Sequence, residues 1–298
     1  MHPIANAVIL LTSLFYSTAV ADHNPDRKEL AKLAETGDAD AQYRLGNFYE
    51  NGWGIPVDNK TAAAWYLRAA SQGHVDAQFN LGLMYLHGHG VPQDAKQASV
   101  WLGKAAEAGD QFAQCNLGAL YQQGLGVPQD SGKALKWFLS SASQGDSMCQ
   151  YNLGLLYLDD AGMRDIAKAQ YWLGLAAEQG YASAQYKLGW LYSSAPEVKQ
   201  NLSTAALWFR RAAEQGEPFA LFALGLMTAN GEGAEQDSVA AYAFLSASAR
   251  NGYTAALDAR KQLEATMTTA DIRRGEELAR RAKPRRPSPE QLPRKTPE

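Results

Sequence analysis

The chain has 298 residues, 46% of them hydrophobic and 20% charged, with a formal net charge of −3. That length exceeds what a single core comfortably organises, so several domains or a repeat array are expected. The near-neutral charge excludes a general nucleic-acid or membrane-surface role, and two cysteines, Cys115 and Cys149, are too few for a disulfide-dependent scaffold.

From the N-terminus, Ala7 to Tyr16 is an apolar run too short to span a bilayer comfortably. Ala19-Val20-Ala21 then shows the small-x-small pattern of a signal-peptidase site, followed by a polar stretch from Asp22. Residues 1–21 are therefore expected to be a cleaved export signal, although its first residues carry no Lys or Arg, and the mature protein is expected to be periplasmic or secreted. No other apolar run is long enough to cross a membrane, so no stable span is expected after cleavage. Asp26 to Gly37 reads as an unpaired helix within an N-terminal cap, residues 22–40.

Six units follow in register. Aligning on an L-G dipeptide places Leu45-Gly46, Leu81-Gly82, Leu117-Gly118, Leu153-Gly154, Leu188-Gly189 and Leu224-Gly225 at spacings of 36, 36, 36, 35 and 36 residues. A Tyr stands three after each Gly, with Thr228 the exception, and Trp65, Trp101, Trp137, Trp172, Trp208 and Phe244 recur later in each unit. Each unit closes on Ala-Ala or a near variant and a Gly. The units start at 41, 77, 113, 149, 184 and 220 and run to residue 255. Within one unit, Ala77, Leu81, Met84 and Tyr85 form one apolar helical stripe. His87 to Asp94 breaks the helix, Asp94 caps the next, and Gly109 ends it. Trp101 and the Ala105-Ala106 pair are expected to face inward. A single helix pair cannot bury both its faces, so stacked neighbours must complete the core.

The C-terminal part changes character. Ala256 to Leu263 begins a seventh first helix without its L-G, a charged helix follows from Thr269, and residues 256–283 read as capping helices. Ile272–Glu298 holds nine Lys or Arg against four Glu. An acidic body thus carries a basic end, and residues 284–298, Pro-rich and charged, are expected to be disordered.

The pattern A-x-x-x-L-G-x-x-Y-x-x-G-x-G-V-x-x-D-x-x-K-A-x-x-W-x-x-K-A-A-x-x-G is nearly literal in Ala77 to Gly109 and close in Ala41 to Gly73 and Ala113 to Gly145. It resembles the SEL-one-like repeat family, a tetratricopeptide-like α-solenoid, over about residues 28 to 271. The resemblance implies an all-α fold: a right-handed α/α solenoid of six helix-turn-helix repeats with capping helices. Two repeats depart from the pattern. Leu158 to Arg164 replaces the G-x-G-V turn of the fourth repeat, and Ser193 to Gln200 that of the fifth; such loops are where function varies.

Motifs for chemistry are absent: there is no H-E-x-x-H and no G-x-S-x-G. Gly126 to Ala134 loosely matches a phosphate loop, but its spacing is wrong and Ala134 stands where Ser or Thr must reach Mg²⁺. His74, His87 and His89 lack a carboxylate or Cys at fixed spacing, so no metal or cofactor is expected. A bridge between Cys115 and Cys149 is geometrically conceivable, and buried free thiols fit equally. What remains is the first-helix face, which the resemblance implies lines a concave groove. The position before each L-G reads Arg44, Asn80, Asn116, Asn152, Lys187 and Ala223, amide and cationic groups suited to a peptide backbone or carboxylate. Three positions on, Trp190 is the aromatic expected to anchor a ligand. The same Asn residues equally fit a role in satisfying local backbone groups. The expected function is an exported scaffold or adaptor, not an enzyme, that binds a protein or peptide partner; the alternative the resemblance implies is a secreted β-lactam-binding or β-lactam-hydrolysing protein.

Overall fold

The computed structural model describes residues 27–53 and 55–281. Among them are fifteen α-helices and no strand. After α1 (Arg27–Glu35) come six pairs: α2 (Ala39–Asn51) with α3 (Asn59–Ser71), α4 (Val75–His87) with α5 (Ala95–Glu107), α6 (Gln111–Gln123) with α7 (Ser131–Ala142), α8 (Ser147–Asp159) with α9 (Ile166–Glu178), α10 (Ala182–Ser194) with α11 (Leu202–Ala213), and α12 (Pro218–Asn230) with α13 (Ser238–Arg250). Two further helices follow, α14 (Ala256–Glu264) and α15 (Thr269–Arg281). The contacts divide the described residues within α8 into two compact units, 27–149 and 150–281. The expected export signal and most of the basic tail lie outside the described residues.

The repeat closes on the glycine of L-G. In the first unit Gly46, Gly82 and Gly118 lie against the side chains of Tyr66, Leu102 and Phe138; in the second, Gly154, Gly189 and Gly225 lie against Leu173, Phe209 and Leu245. A Cβ on Gly118 would stand 2.6 Å from the Phe138 ring, so only glycine admits this helix-to-helix approach. The roughly 1 kcal/mol that a helical Gly costs is offset by the side chain seated over it. Of the tryptophans, Trp101 faces the core as expected, whereas Trp65, Trp137, Trp172 and Trp208 are only half-buried. Leu102 is 0% exposed, whereas Trp101 keeps 9% and lies under the ammonium of Lys104, 4.0 Å from its ring centroid. Trp65 and Trp208 are half-buried and covered in the same way by Arg68 and Arg211, one turn later. The deepest position is the residue after each Trp.

Polar groups set the register between and within repeats. Buried Gln42, Gln78, Gln114 and Gln185 on first helices donate to the carbonyls of Ala34, Ala70, Ala106 and Ala177 in the last turn of the preceding second helix, at 3.0–3.1 Å. Each of those carbonyls also accepts from the amide of the closing glycine, Gly37, Gly73, Gly109 or Gly180, at 3.0–3.2 Å. In turn Gln72, Gln144, Gln179 and Gln215 donate to Oε1 of Gln42, Gln114, Gln150 and Gln185 at 2.8–2.9 Å. In the last repeat Leu221 replaces this glutamine, and Ser248 Oγ donates instead to Pro218 O at 2.7 Å.

The turns keep one bond and vary the rest. The amides of Asp58, Asp94, Asp130, Asp165, Asn201 and Asp237 donate to the carbonyls of Tyr49, Tyr85, Tyr121, Tyr157, Tyr192 and Thr228 at 2.8–3.1 Å, and each of these Asp or Asn side chains then caps a second helix. Regular turns add a glycine, Gly90, Gly126 or Gly233, whose Cα approaches the first residue of the preceding second helix. The fourth and fifth repeats lack that glycine. There Arg164 and Glu197 join the two irregular loops at 2.7 Å, and the guanidinium hydrogen bond holds the Glu197 carboxyl below the usual range.

At the ends, Leu30 and Ala34 of α1 are buried against α2, and α15 packs on α13 with Gly275 against Tyr242. That contact explains a glycine in an otherwise charged helix. Cys115 and Cys149 are both buried and carry thiols rather than a disulfide.

Candidate interaction face of the first helices

In residues 27–149 the row before L-G begins with Arg44, whose guanidinium lies 3.8 Å from Asp40 one turn earlier. Asn80 is half-buried and hydrogen-bonds the hydroxyl of Tyr66. That hydroxyl also lies 2.6 Å from Asn47 Oδ1 and 2.6 Å from Glu50 Oε2. Burial foremost, with the Glu50 charge beside it, pushes the Tyr66 phenol well above its ordinary pKa. Asn116 is only 1% exposed; its Nδ2 donates to Phe112 O at 2.9 Å, and Oδ1 is buried without a hydrogen-bond partner. In register, the residue matching Tyr66 in the preceding repeat is Leu102, which has no hydroxyl to offer it.

In residues 150–281, Asn152 is 0% exposed. Lys187 is half-buried, with Nζ 5.8 Å from the Trp190 ring centroid, and Trp190 itself is 39% exposed. On α12, Leu226 occupies the position of Trp190 in the next repeat and is 38% exposed. Burial raises the pKa of Asp159 at the end of α8, while Lys187 and Arg164 pull it down. The structure thus brings Lys187 and Trp190 together as an accessible pair. Asn116 and Asn152 are sequestered, which leaves them no surface to present to a partner. Arg44 and Asn80 are partly open but already engaged.

Glu50, Tyr66 and the glutamine ladder are not among the residues expected from the sequence. Both had a visible signal: Tyr66 stands where other repeats carry Leu, Phe or Leu again, and A-Q or C-Q precedes five of the six L-G dipeptides.

The Sel1 repeat family profile matches residues 39–74, 75–110, 111–146, 147–181, 182–217 and 218–253. The chain belongs to the Sel1 repeat family. Each match begins two residues before the start read from the L-G register, where the first helix itself begins. Among solved structures, this Sel1 repeat protein is similar to a protective antigen of uropathogenic Escherichia coli with an SLR fold, at 31% identity over 86% of this chain and with a TM-score of 0.59. This chain covers 63% of that antigen's length. It is also similar to a Sel1 repeat protein from Oxalobacter formigenes, at 29% identity, covering 74% of this chain and 90% of the other, with a TM-score of 0.66. No curated protein matches the chain. The Sel1 solenoid fold is therefore established, and Sel1 repeats generally act as protein-interaction scaffolds.

Proposed function

We propose that this Sel1 repeat protein is an exported scaffold that holds a peptide or protein partner on the face of its first helices, anchored at Trp190 and Lys187. The observation that carries the reading is the exposed indole of Trp190 with the Lys187 ammonium beside it. Binding energy concentrates on such aromatic anchors, and an adjacent ammonium adds a donor for a carboxylate or peptide carbonyl. Leu226 extends the same face as an apolar contact. Export is supported by the apolar run Ala7 to Tyr16 and the Ala19-Val20-Ala21 site, and it agrees with similarity to a protein described as a protective antigen.

The test is a cross-linked pull-down from the native envelope fraction with wild-type protein and Trp190→Ala/Lys187→Ala. A specific partner should be retained by the wild type and lost by the variant at unchanged melting temperature. Equal retention by both would remove the anchor. Fractionation of tagged full-length chain, with Ala19→Leu/Ala21→Leu as control, tests export separately: cleaved periplasmic or secreted product is expected only from the wild type.

A further inference from the structure

The turn that ends α4, His87-Gly88-His89-Gly90, holds two imidazoles whose ring centroids are 5.6 Å apart. His87 is half-buried, and its Nε2 is out of solvent with no hydrogen-bond partner. Among the described residues neither ring forms an ion pair; the histidine that does is His74, at Asp40.

The turn after α6 supplies an internal control. There the same four positions read Gln123-Gly124-Leu125-Gly126. Backbone and bonding are the same in both. Gly88 and Gly124 have φ of 72° and 69°, and Gly90 and Gly126 have 74° and 72°. The amides of His89 and Leu125 each donate at 3.0 Å, to Met84 O and Leu120 O. Gln93 and Gln129 donate to Leu86 O and Gln122 O at 2.8 and 2.9 Å. Gly90 seats against the Asn59 carbonyl at the start of α3, and Gly126 against the Ala95 carbonyl at the start of α5. The turn's shape therefore does not require histidine, and the half-buried His87 imidazole, with the exposed His89 beside it, is an addition to it.

Charging His87 is unfavourable. Burial, and then the neighbouring His89, hold the His87 pKa below its ordinary value of 6.5. The charged groups on the elements around the turn do not relieve this. Lys60 lies in the first turn of α3, against which Gly90 packs, and is itself a cation. Asp58 is engaged by the hydroxyl and amide of Thr61, and Asp94 by the amides of Lys96 and Gln97.

We propose that the His87–His89 turn is a pH-sensitive latch, seated on the first turn of α3 at neutral pH and released as the half-buried His87 protonates. The sign follows from linkage. A released turn takes a proton near the ordinary imidazole value, about 6.5, and the seated turn only at lower pH. In the window between, the released state binds more protons, so it gains population as pH falls. Above about pH 6.5 the latch is fully closed.

The experiment is hydrogen exchange of the full chain at pH 7.5 and 5.0, corrected for the intrinsic rate, comparing the segment 84–92 with 120–128. The opening constant of 84–92 should rise about tenfold on acidification, and that of 120–128 should stay level. His87→Gln/His89→Leu, which installs the residues of the α6 turn, should abolish the rise without changing exchange at pH 7.5. His87→Asn, the residue found at this position in the first and last repeats, provides a second variant in case the double change perturbs folding. An equal acid response in both turns, or the same response in the variants, would overturn the proposal.

Discussion

Helices α6 and α10 are both thirteen-residue first helices of the same repeat type, yet one is closed and the other open. Every residue from Ala113 to Leu120 in α6 is buried, whereas α10 presents Trp190 and half of Lys187. Their pattern positions are the same: Leu117-Gly118 and Leu188-Gly189 each seat an aromatic ring, Phe138 and Phe209. They differ between those positions, Asn116 and Ala119 against Lys187 and Trp190. The pattern builds the helix pair, and the side chains between its positions decide whether a first helix offers a surface.

Six substitutions sharpen or break that comparison. Phe138→Ala, under the shared Gly118, should cost about 3–5 kcal/mol and exceed Trp137→Ala, because the Trp is only half-buried; urea unfolding of both variants checks the order. If the Trp change costs more, the assignment of the deepest core position is wrong. Ala119→Trp, which forces the α10 residue into α6, should destabilise by about 1–3 kcal/mol through overpacking. A neutral result by thermal melting would mean that α6 has room for a partner after all.

Asn116→Ala should cost about 1 kcal/mol, the loss of its bond to Phe112 O tempered by removal of a buried unpaired oxygen, with partner binding unchanged. Trp190→Ala should reverse that pairing of effects. Its stability change should stay within about 0.5 kcal/mol, while partner affinity falls at least about tenfold. Measuring melting and affinity on both variants separates a structural amide from a binding anchor.

The smallest effect concerns two helix caps in the first unit. Burial raises the pKa of Asp110 and Asp146 despite the amides they accept from. A carboxyl with a folded pKa above its unfolded value binds protons more tightly when folded. These two groups therefore favour the folded state most at low pH, and that contribution declines as pH rises from about 4 through the raised values. Asp146→Asn keeps a cap acceptor for the Cys149 amide and removes the charge. It should flatten that part of the stability–pH curve above about pH 4. An unchanged curve would show that the buried charge carries no cost.

The repeat period, the helix pairs, the second-helix caps and the glycine turns were all legible in the residues, because each is a local requirement met six times over. Agreement at fixed spacing averages out the exceptions, so even the one-residue deletion in the fourth repeat did not hide the register. Asp165 caps its helix and donates to Tyr157 O as its counterparts do. The candidate site was less legible. Asn80, Asn116 and Asn152 look alike in sequence, but Asn80 reaches the Tyr66 hydroxyl while the other two are enclosed. Nothing local distinguishes them, since their accessibility depends on what the neighbouring helices place in front of them.

By itself, then, the sequence determined that this is an all-helical array of six Sel1 repeats, since hydrophobic period, capping and turn chemistry act over a few residues and agree throughout. Only the tertiary structure decided which residue seats over the glycine, Leu102 or Phe138, with the preceding tryptophan beside it under a cation. It alone decided that Trp190 stays accessible while Asn116 does not. Burial is a property of the space left between packed helices, and that space is set by residues twenty to thirty apart in the chain, as in Gly118 with Phe138 or Gln42 with Gln72.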